Sequence, residues 1–406
     1  MLKILHNKTI TDVPYITACG IKSGVKKSGK KDLSIIYSQV KACAAAVFTT
    51  NKVKAAPILL NMENIKSDNI QAIVVNSGIA NACTGDTGYK NAKIMAETAA
   101  NCLNINPSEV LVQSTGIIGK QLPMELIVPG IEKACSCLSK DGGNDASIAI
   151  MTTDTFQKTF TVEFEIQDKP IIISGIAKGS GMIHPNMATM LSSIVTNANI
   201  SKEILHKALK SSVEKSYNMI SIDGDTSTND MVTILANKTA GNTLIDCTDK
   251  NYEIFKEALD FVNITLAKMI AKDGEGATKL IEATVLNAQT LENARKCAKS
   301  IICSNLTKCA FFGSDANWGR IMCAIGYSGA DFNPYKVDIY LEDINYKLYI
   351  VKNGVGLEFD KNKAKEILSS NEIKITVDLK SGTNCATAWG CDLSYDYVKI
   401  NGCYTT

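Results

Sequence analysis

At 406 residues, with 45% hydrophobic and 21% charged side chains, the chain has ample core material for two layered domains or two closely packed halves, and its composition excludes a disordered chain. Forty-three Lys and Arg offset 41 Asp and Glu to a net charge of +2, so no global field draws nucleic acid or an anionic membrane surface, and small-molecule partners are expected. The 14 cysteines lie in apolar contexts such as "IICSN" around Cys303 and "IMCAIG" around Cys323, which predicts buried free thiols rather than a disulfide framework.

The N-terminus "MLKILHNKTITDV" has no long apolar region or small-residue cleavage site, and no stretch reaches the roughly 18 consecutive apolar residues of a membrane span, so a cytoplasmic enzyme is expected. The basic run "KSGVKKSGKKD", Lys22 to Asp32, suggests phosphate binding but reads more simply as a solvated loop. Within it "GVKKSGKK" has a P-loop skeleton, yet Lys31 stands where the magnesium-binding Ser or Thr belongs.

"NIQAIV" reads as a buried strand ending at Val75, before the Gly- and Asn-rich "NSGIANACTG". A helix follows, with Ala92, Met95, Ala99, Cys102 and Leu103 at helical spacing, and "EVLVQSTGIIG" is a second strand entering a Gly loop. "KTFTVEFEI" and "PIIISGIA" predict adjacent strands joined by a turn at "QDK".

"GSGMIHPNMATMLSSIVTNA", Gly179 to Ala198, then passes abruptly from Gly, Pro and Asn to an apolar strand expected to begin at Thr189. Ser201 can cap the next helix, and residues 252–273 form the clearest helix of the chain, stopped at Gly274. "TKLIEATVL" predicts a strand, "LENARKCAKSIIC" a helix, "KVDIYLEDINYKLYIV" a hairpin and "IKITVDL" a strand. No composition shift marks a domain boundary.

Metal catalysis finds no support, because His6, His184 and His206 form no ligand pair and "CSC" at 135–137 has no second cysteine pair. "GSG" at 179–181 lacks the third glycine of a dinucleotide fingerprint. Neither metal nor cofactor is expected, and His184 is expected to shape its loop.

Hydroxyl chemistry that needs no histidine remains. A threonine at a chain terminus uses its own α-amine as base, with a pKa of about 8 against about 10.4 for lysine. Thr189 can serve this way only if the Ala188–Thr189 bond is cut, and the residues alone leave a cleavage loop and an ordinary connecting loop both open.

The ordered segments "VVNSGIANACTG", "QSTGIIG", "MTTDT", "KGSGMIHPNMATML", "IDGDTSTND", "DGEGATK", "FGSDANWGR" and "NGCYTT" span the chain, and together they resemble the ornithine acetyltransferase, or glutamate N-acetyltransferase, family. The resemblance implies an N-terminal-nucleophile-like α/β fold, layered sheets flanked by helices, with a smaller C-terminal α/β portion. It further implies self-cleavage into an α chain, 1–188, and a β chain, 189–406, usually assembled as two of each. Thr189 would take acetyl from N-acetylornithine and pass it to glutamate, and acetyl-CoA is a possible second donor.

By the same resemblance Thr115 and Gly116 form the oxyanion hole. Thr152, Lys178, Glu275, Asn401 and Thr406, together with Thr189, contact substrate, and Thr153 is not separable from Thr152. "FGSDANWGR" and "SIDGDTSTND" are candidates for either site walls or structural support. The competing reading is a self-processing amidohydrolase or aminopeptidase on a similar scaffold, with water as acyl acceptor.

Overall fold

The computed structural model describes residues 2–184, 190–342 and 346–403. Thr189, Ala188 and Thr406 therefore lie outside the described residues.

Three sheets organise the chain. A four-stranded sheet runs Ile16–Ile21, Leu33–Ser38, Ala72–Ile79, Val110–Ile117. A six-stranded sheet runs Lys3–Ile4, Lys158–Ile166, Lys169–Lys178, Leu191–Thr196, Met231–Ala236, Cys43–Phe48. Period-two alternation decides how they stack. Ile73, Val75 and Leu111 of the smaller sheet share one buried layer with Ile176, Leu191, Val195, Met231 and Leu235 of the larger.

The alternate residues face outward onto helices. Val74, Val110 and Val112 pack with Met95, Ala99 and Ile127, while Ile173, Ile194 and Ile234 pack with Leu209, Leu259 and Leu266. The result is a helix–sheet–sheet–helix sandwich, the layered α/β class expected. Inner strands such as Ala72–Ile79 and Met231–Ala236 are therefore buried on both faces, whereas Lys158–Ile166, nearer the sheet edge, keeps its alternation.

The C-terminal portion contributes most of a seven-stranded sheet, to which Ile220–Ser221 adds an edge. Helix Leu291–Cys303 and the long helix Lys250–Lys272 both contact it, so the two portions share one continuous core. Strand Lys158–Ile166 and helix Leu291–Cys303 carry the predicted bounds. Ser201 caps its helix by accepting from the N–H of Ile204, whereas the long helix begins earlier than expected because Asp249 accepts from the N–H of Tyr252.

Several expectations need correction. The strand expected to stop at Val75 continues to Ile79, because parallel pairing with Val110–Ile117 recruits Asn76 and Ser77. Their side chains find buried partners: Ser114 donates to Asn76 Oδ1 at 2.6 Å, and Ser77 donates to the carbonyl of Ala149 at 2.5 Å. The strand expected from Thr189 is described from Leu191.

All the cysteines are free, but only Cys19, Cys43, Cys297 and Cys391 are buried. In helix Trp318–Gly326 the buried face is Ile321, Ala324 and Ile325, and helical geometry turns Cys323 away from it. Cys303 is half-buried.

The run Lys22–Asp32 is not simply a solvated loop. Asp32 is fully buried and accepts backbone N–H groups from Ser23, Gly24 and Lys26, which fixes the loop, and Lys26 turns inward. Among the described residues no helix is long and apolar enough to cross a membrane, and no group of three or more His, Cys, Asp or Glu is placed to hold a metal.

Candidate active site

A cavity of about 420 Å³ opens where the two stacked sheets meet the C-terminal portion. Thr115, Gly116, Thr152, Lys178, Glu275 and Asn401 all line it, as does Thr153. They come from five separate segments of the chain. Met190 also lines it, one residue after Thr189.

Thr115 and Gly116 end the strand Val110–Ile117. Gly116 has φ of +129°, and a β-carbon there would lie 2.2 Å from the backbone of Gly78, so two parallel strands touch through glycine at this point. The pairing register shifts at Gly78 and Ile79, which turns the strand end out of the regular ladder and into the cavity wall. Lys178 ends its own strand and donates to Thr115 Oγ1 at 3.3 Å. Both side chains are largely buried.

Lys178 is held by a charged network beneath the cavity. Asp154 Oδ1 accepts from Lys158 Nζ at 2.7 Å and from the N–H of Gly179 at 2.8 Å, while Oδ2 accepts from the N–H of Thr152 at 2.8 Å. Lys158, fully buried, also reaches Asp273 at 2.5 Å. Asp273 in turn accepts from the N–H and hydroxyl of Thr155. One network thus fixes the start of the Gly179 loop, the Thr152 segment and the end of the long helix.

Burial pulls the Lys178 ammonium below the ordinary lysine range, opposed by Asp154 and reinforced by Lys158. Burial also works against the Asp154 carboxylate, yet Lys178 and Lys158 hold its pKa well below the usual range. A largely buried ammonium facing a cavity has its charge best satisfied by an incoming carboxylate.

Glu275, which also lines the cavity, follows the long helix and is oriented by two contacts. Its N–H donates to the carbonyl of Ser180 at 3.0 Å, and its Oε2 accepts from Asn401 Nδ2 at 2.8 Å. Asn401 sits on the C-terminal helix Tyr395–Cys403 rather than in a frayed tail. Gly181 passes directly over this carboxylate: a β-carbon at 181 would lie 2.5 Å from Glu275 Cδ, Oε1 and Oε2.

The "SIDGDTSTND" segment is a wall of the site. Ser227, Asn229 and Asp230 line the cavity, and Asn229 ties it together by donating to the carbonyls of Ala80 and Ser114. Asp223 accepts from the N–H groups of Met182 and Ile183 at 2.6 and 2.9 Å, and Thr226 donates to the His184 carbonyl at 2.8 Å. His184 contacts Ser221 Oγ at 3.0 Å, and burial, assisted by Lys299, lowers its pKa to about 4, so a neutral ring shapes the loop.

"FGSDANWGR" lies elsewhere. Trp318 packs on Gly356, where a β-carbon would meet its ring at 2.2 Å, and Arg320 donates to the Leu306 carbonyl. That segment supports the C-terminal portion and does not line the cavity.

Asp154, Lys158 and Asp273 belong to the site without having been singled out in the sequence, whereas Asn229 lies within the "SIDGDTSTND" segment given as a candidate wall. Asp154 stands inside "MTTDT" and Lys158 four residues on, a charge spacing that was the one available signal.

A lysine, a carboxylate and a hydroxyl–glycine strand end thus line one small cavity, groups of both charges that a small zwitterionic molecule would meet. The likeness extends along the chain: a model of the ArgJ family matches residues 17–406, and the chain belongs to that family. It is 59% identical over 403 residues to arginine biosynthesis bifunctional protein ArgJ 1 of Clostridium acetobutylicum, covering 99% of each chain. It is 49% identical over 396 residues to glutamate N-acetyltransferase of Methanocaldococcus jannaschii, covering 95% of this chain and 97% of that one. The crystal structure of arginine biosynthesis bifunctional protein argJ from Bacillus halodurans is 43% identical with a TM-score of 0.50, and covers 53% of this chain and 100% of that one.

Proposed function

We propose that the chain is a glutamate N-acetyltransferase of arginine biosynthesis that moves acetyl from N-acetylornithine to glutamate through an acetyl ester on Thr189. The observation that carries the mechanism is the convergence on one cavity of Thr115, Gly116, Thr152, Lys178, Glu275 and Asn401, with Met190 beside them.

In this reading the chain first cuts itself between Ala188 and Thr189. The Thr189 hydroxyl attacks the Ala188 carbonyl, the peptide shifts to an ester, and water releases a β chain whose new α-amine is the general base. Strand Leu191–Thr196 supports such a nucleophile from behind, since every residue in it is buried and it is paired on both sides. The Bacillus halodurans chain supports the cut as well, for its whole length corresponds to just over half of this chain, the share a product beginning at Thr189 would have.

Both acyl transfers pass through an oxyanion, which the Thr115 hydroxyl and the Gly116 N–H stabilise. One such donor is typically worth about 100- to 1000-fold in rate. Lys178 receives the substrate carboxylate and Glu275 its amino-bearing end, with Thr152, Asn401 and Thr406 completing the contacts. The two chains stay together, two of each, in the cytoplasm, and acetyl-CoA is a second acetyl donor. No metal or cofactor takes part.

The test is acetyl transfer by the purified protein from N-acetylornithine to glutamate. Formation of N-acetylglutamate with free ornithine is expected. Release of acetate with no N-acetylglutamate would instead establish the amidohydrolase reading.

A further inference from the structure

The fixed basic loop Lys22–Asp32 plays no part in the site described above. With Asp32 anchoring its backbone and Lys26 donating to the carbonyls of Lys31 and Met151, the loop presents Lys27 and Ser28 along one wall of a groove of about 790 Å³. Lys120 and Gly119 line the same groove from the loop after Val110–Ile117.

Three features point to a phosphate-bearing ligand. The groove lies outside the carboxyl ends of two parallel strands, Ala72–Ile79 and Val110–Ile117, the position that ligands of α/β sheets favour. It contains Lys26, Lys27 and Lys120 and no carboxylate, and among the described residues neither Lys27 nor Lys120 forms an ion pair. Gly78 and Gly119, with φ of +108° and +82°, leave parts of the lining without side chains.

Ile117 and Ile118 connect the two volumes, since both line this groove and the catalytic cavity. A cavity of about 420 Å³ suits an amino acid, whereas a carrier-borne acyl group must extend beyond it.

We propose that this groove binds the phosphates of an acyl thioester donor of the coenzyme A class, whose acyl end enters the cavity past Ile117 and Ile118. The assignment rests on the acyltransferase reading above. Thr189 Oγ attacks the thioester carbonyl, the C–S bond breaks, and the thiolate leaves with the proton taken from the hydroxyl. The same acetyl ester forms as with N-acetylornithine.

The experiment compares the wild-type enzyme with the double variant Lys27→Glu/Lys120→Glu, both positions being exposed and outside the core. Transfer from N-acetylornithine should stay within about twofold of wild type, while KM for acetyl-CoA rises about tenfold or more, most strongly at low salt. Adenosine 3′,5′-bisphosphate should compete with acetyl-CoA in the wild type and lose that effect in the variant.

Absence of transfer from N-acetylornithine in the wild type would overturn the parent reading. A KM for acetyl-CoA unmoved by charge reversal would overturn the groove assignment alone, whereas normal transfer from N-acetylornithine with no use of acetyl-CoA would overturn both the groove assignment and the second-donor part of the parent reading. Inhibition by inorganic pyrophosphate with none by the bisphosphate would overturn the carrier and leave a simple anion site.

Discussion

Gly181→Ala separates the position of the Glu275 carboxylate from its presence. The new methyl carbon would lie 2.5 Å from three atoms of that carboxyl group, against an ordinary contact of about 3.5 Å, so the group must move by about 1 Å. Position 181 does not occupy the left-handed backbone region, and the obstructing atoms are the far end of a flexible side chain, so the fold should be little affected. The displacement breaks the 2.8 Å bond from Asn401 and misaligns the group proposed to receive the substrate's amino end.

A hydrogen bond to a charged group is worth about 1.5–3 kcal/mol, which sets the expected loss in kcat/KM at about 10- to 100-fold. The assay is steady-state acetyl transfer with N-acetylornithine varied, beside a thermal melt. A Tm near wild type with kcat/KM falling toward that of Glu275→Gln is expected. Wild-type kinetics in a folded Gly181→Ala protein would refute the role given to Glu275.

Asp154→Asn removes the main charge that favours the protonated form of Lys178, so KM for the amino-acid substrate should rise and the rise should shrink as pH is lowered; a pH-independent KM would contradict the coupling. The same variant leaves Lys158 with Asp273 as its one remaining carboxylate among the described residues, and loss of one partner from a buried charged set typically costs about 3–5 kcal/mol, read as a lower denaturant midpoint. His184 is held neutral, with its pKa lowered from 6.5 to about 4, so the folded chain binds fewer protons than the unfolded one between those values. Stability from this group is present above pH 6.5 and lost as pH falls to 4. His184→Gln should reduce the acid loss in urea melts by about 1–2 kcal/mol, discounted for the ring's partial exposure. Thr189→Ala should give one uncut, inactive chain on a denaturing gel and Thr189→Ser should still cut; efficient cleavage of the alanine variant would contradict the mechanism.

Where a periodic pattern met no competing demand, the sequence was enough. Lys158–Ile166 alternates cleanly and Leu291–Cys303 repeats at helical spacing, and both elements have the expected bounds. Polar residues recruited into the interior were harder to foresee. Asn76 and Ser77 look like the start of a loop until their partners Ser114 and Ala149, distant in the chain, are known.

Lys158 likewise reads as the exposed first residue of a strand, and its burial depends on Asp273, 115 positions away. Cys323 looks buried by its neighbours but lies off the helix face that is covered. For the site, "STG", "MTTDT" and "DGEG" placed residues that now line one cavity, because short motifs preserve chemistry that composition does not. The network beneath them could not be read, since pairing of buried charges is a property of three-dimensional proximity.

In the proposed mechanism Thr189 becomes a chain terminus and carries the acetyl group. Brief incubation with N-acetylornithine in the absence of glutamate, acid quenching and intact mass measurement test it directly. Two polypeptides are expected, the larger beginning at Thr189 and bearing one acetyl group that disappears when glutamate is added. A single full-length chain that turns over substrate, or an active β chain that never carries acetyl, would contradict it.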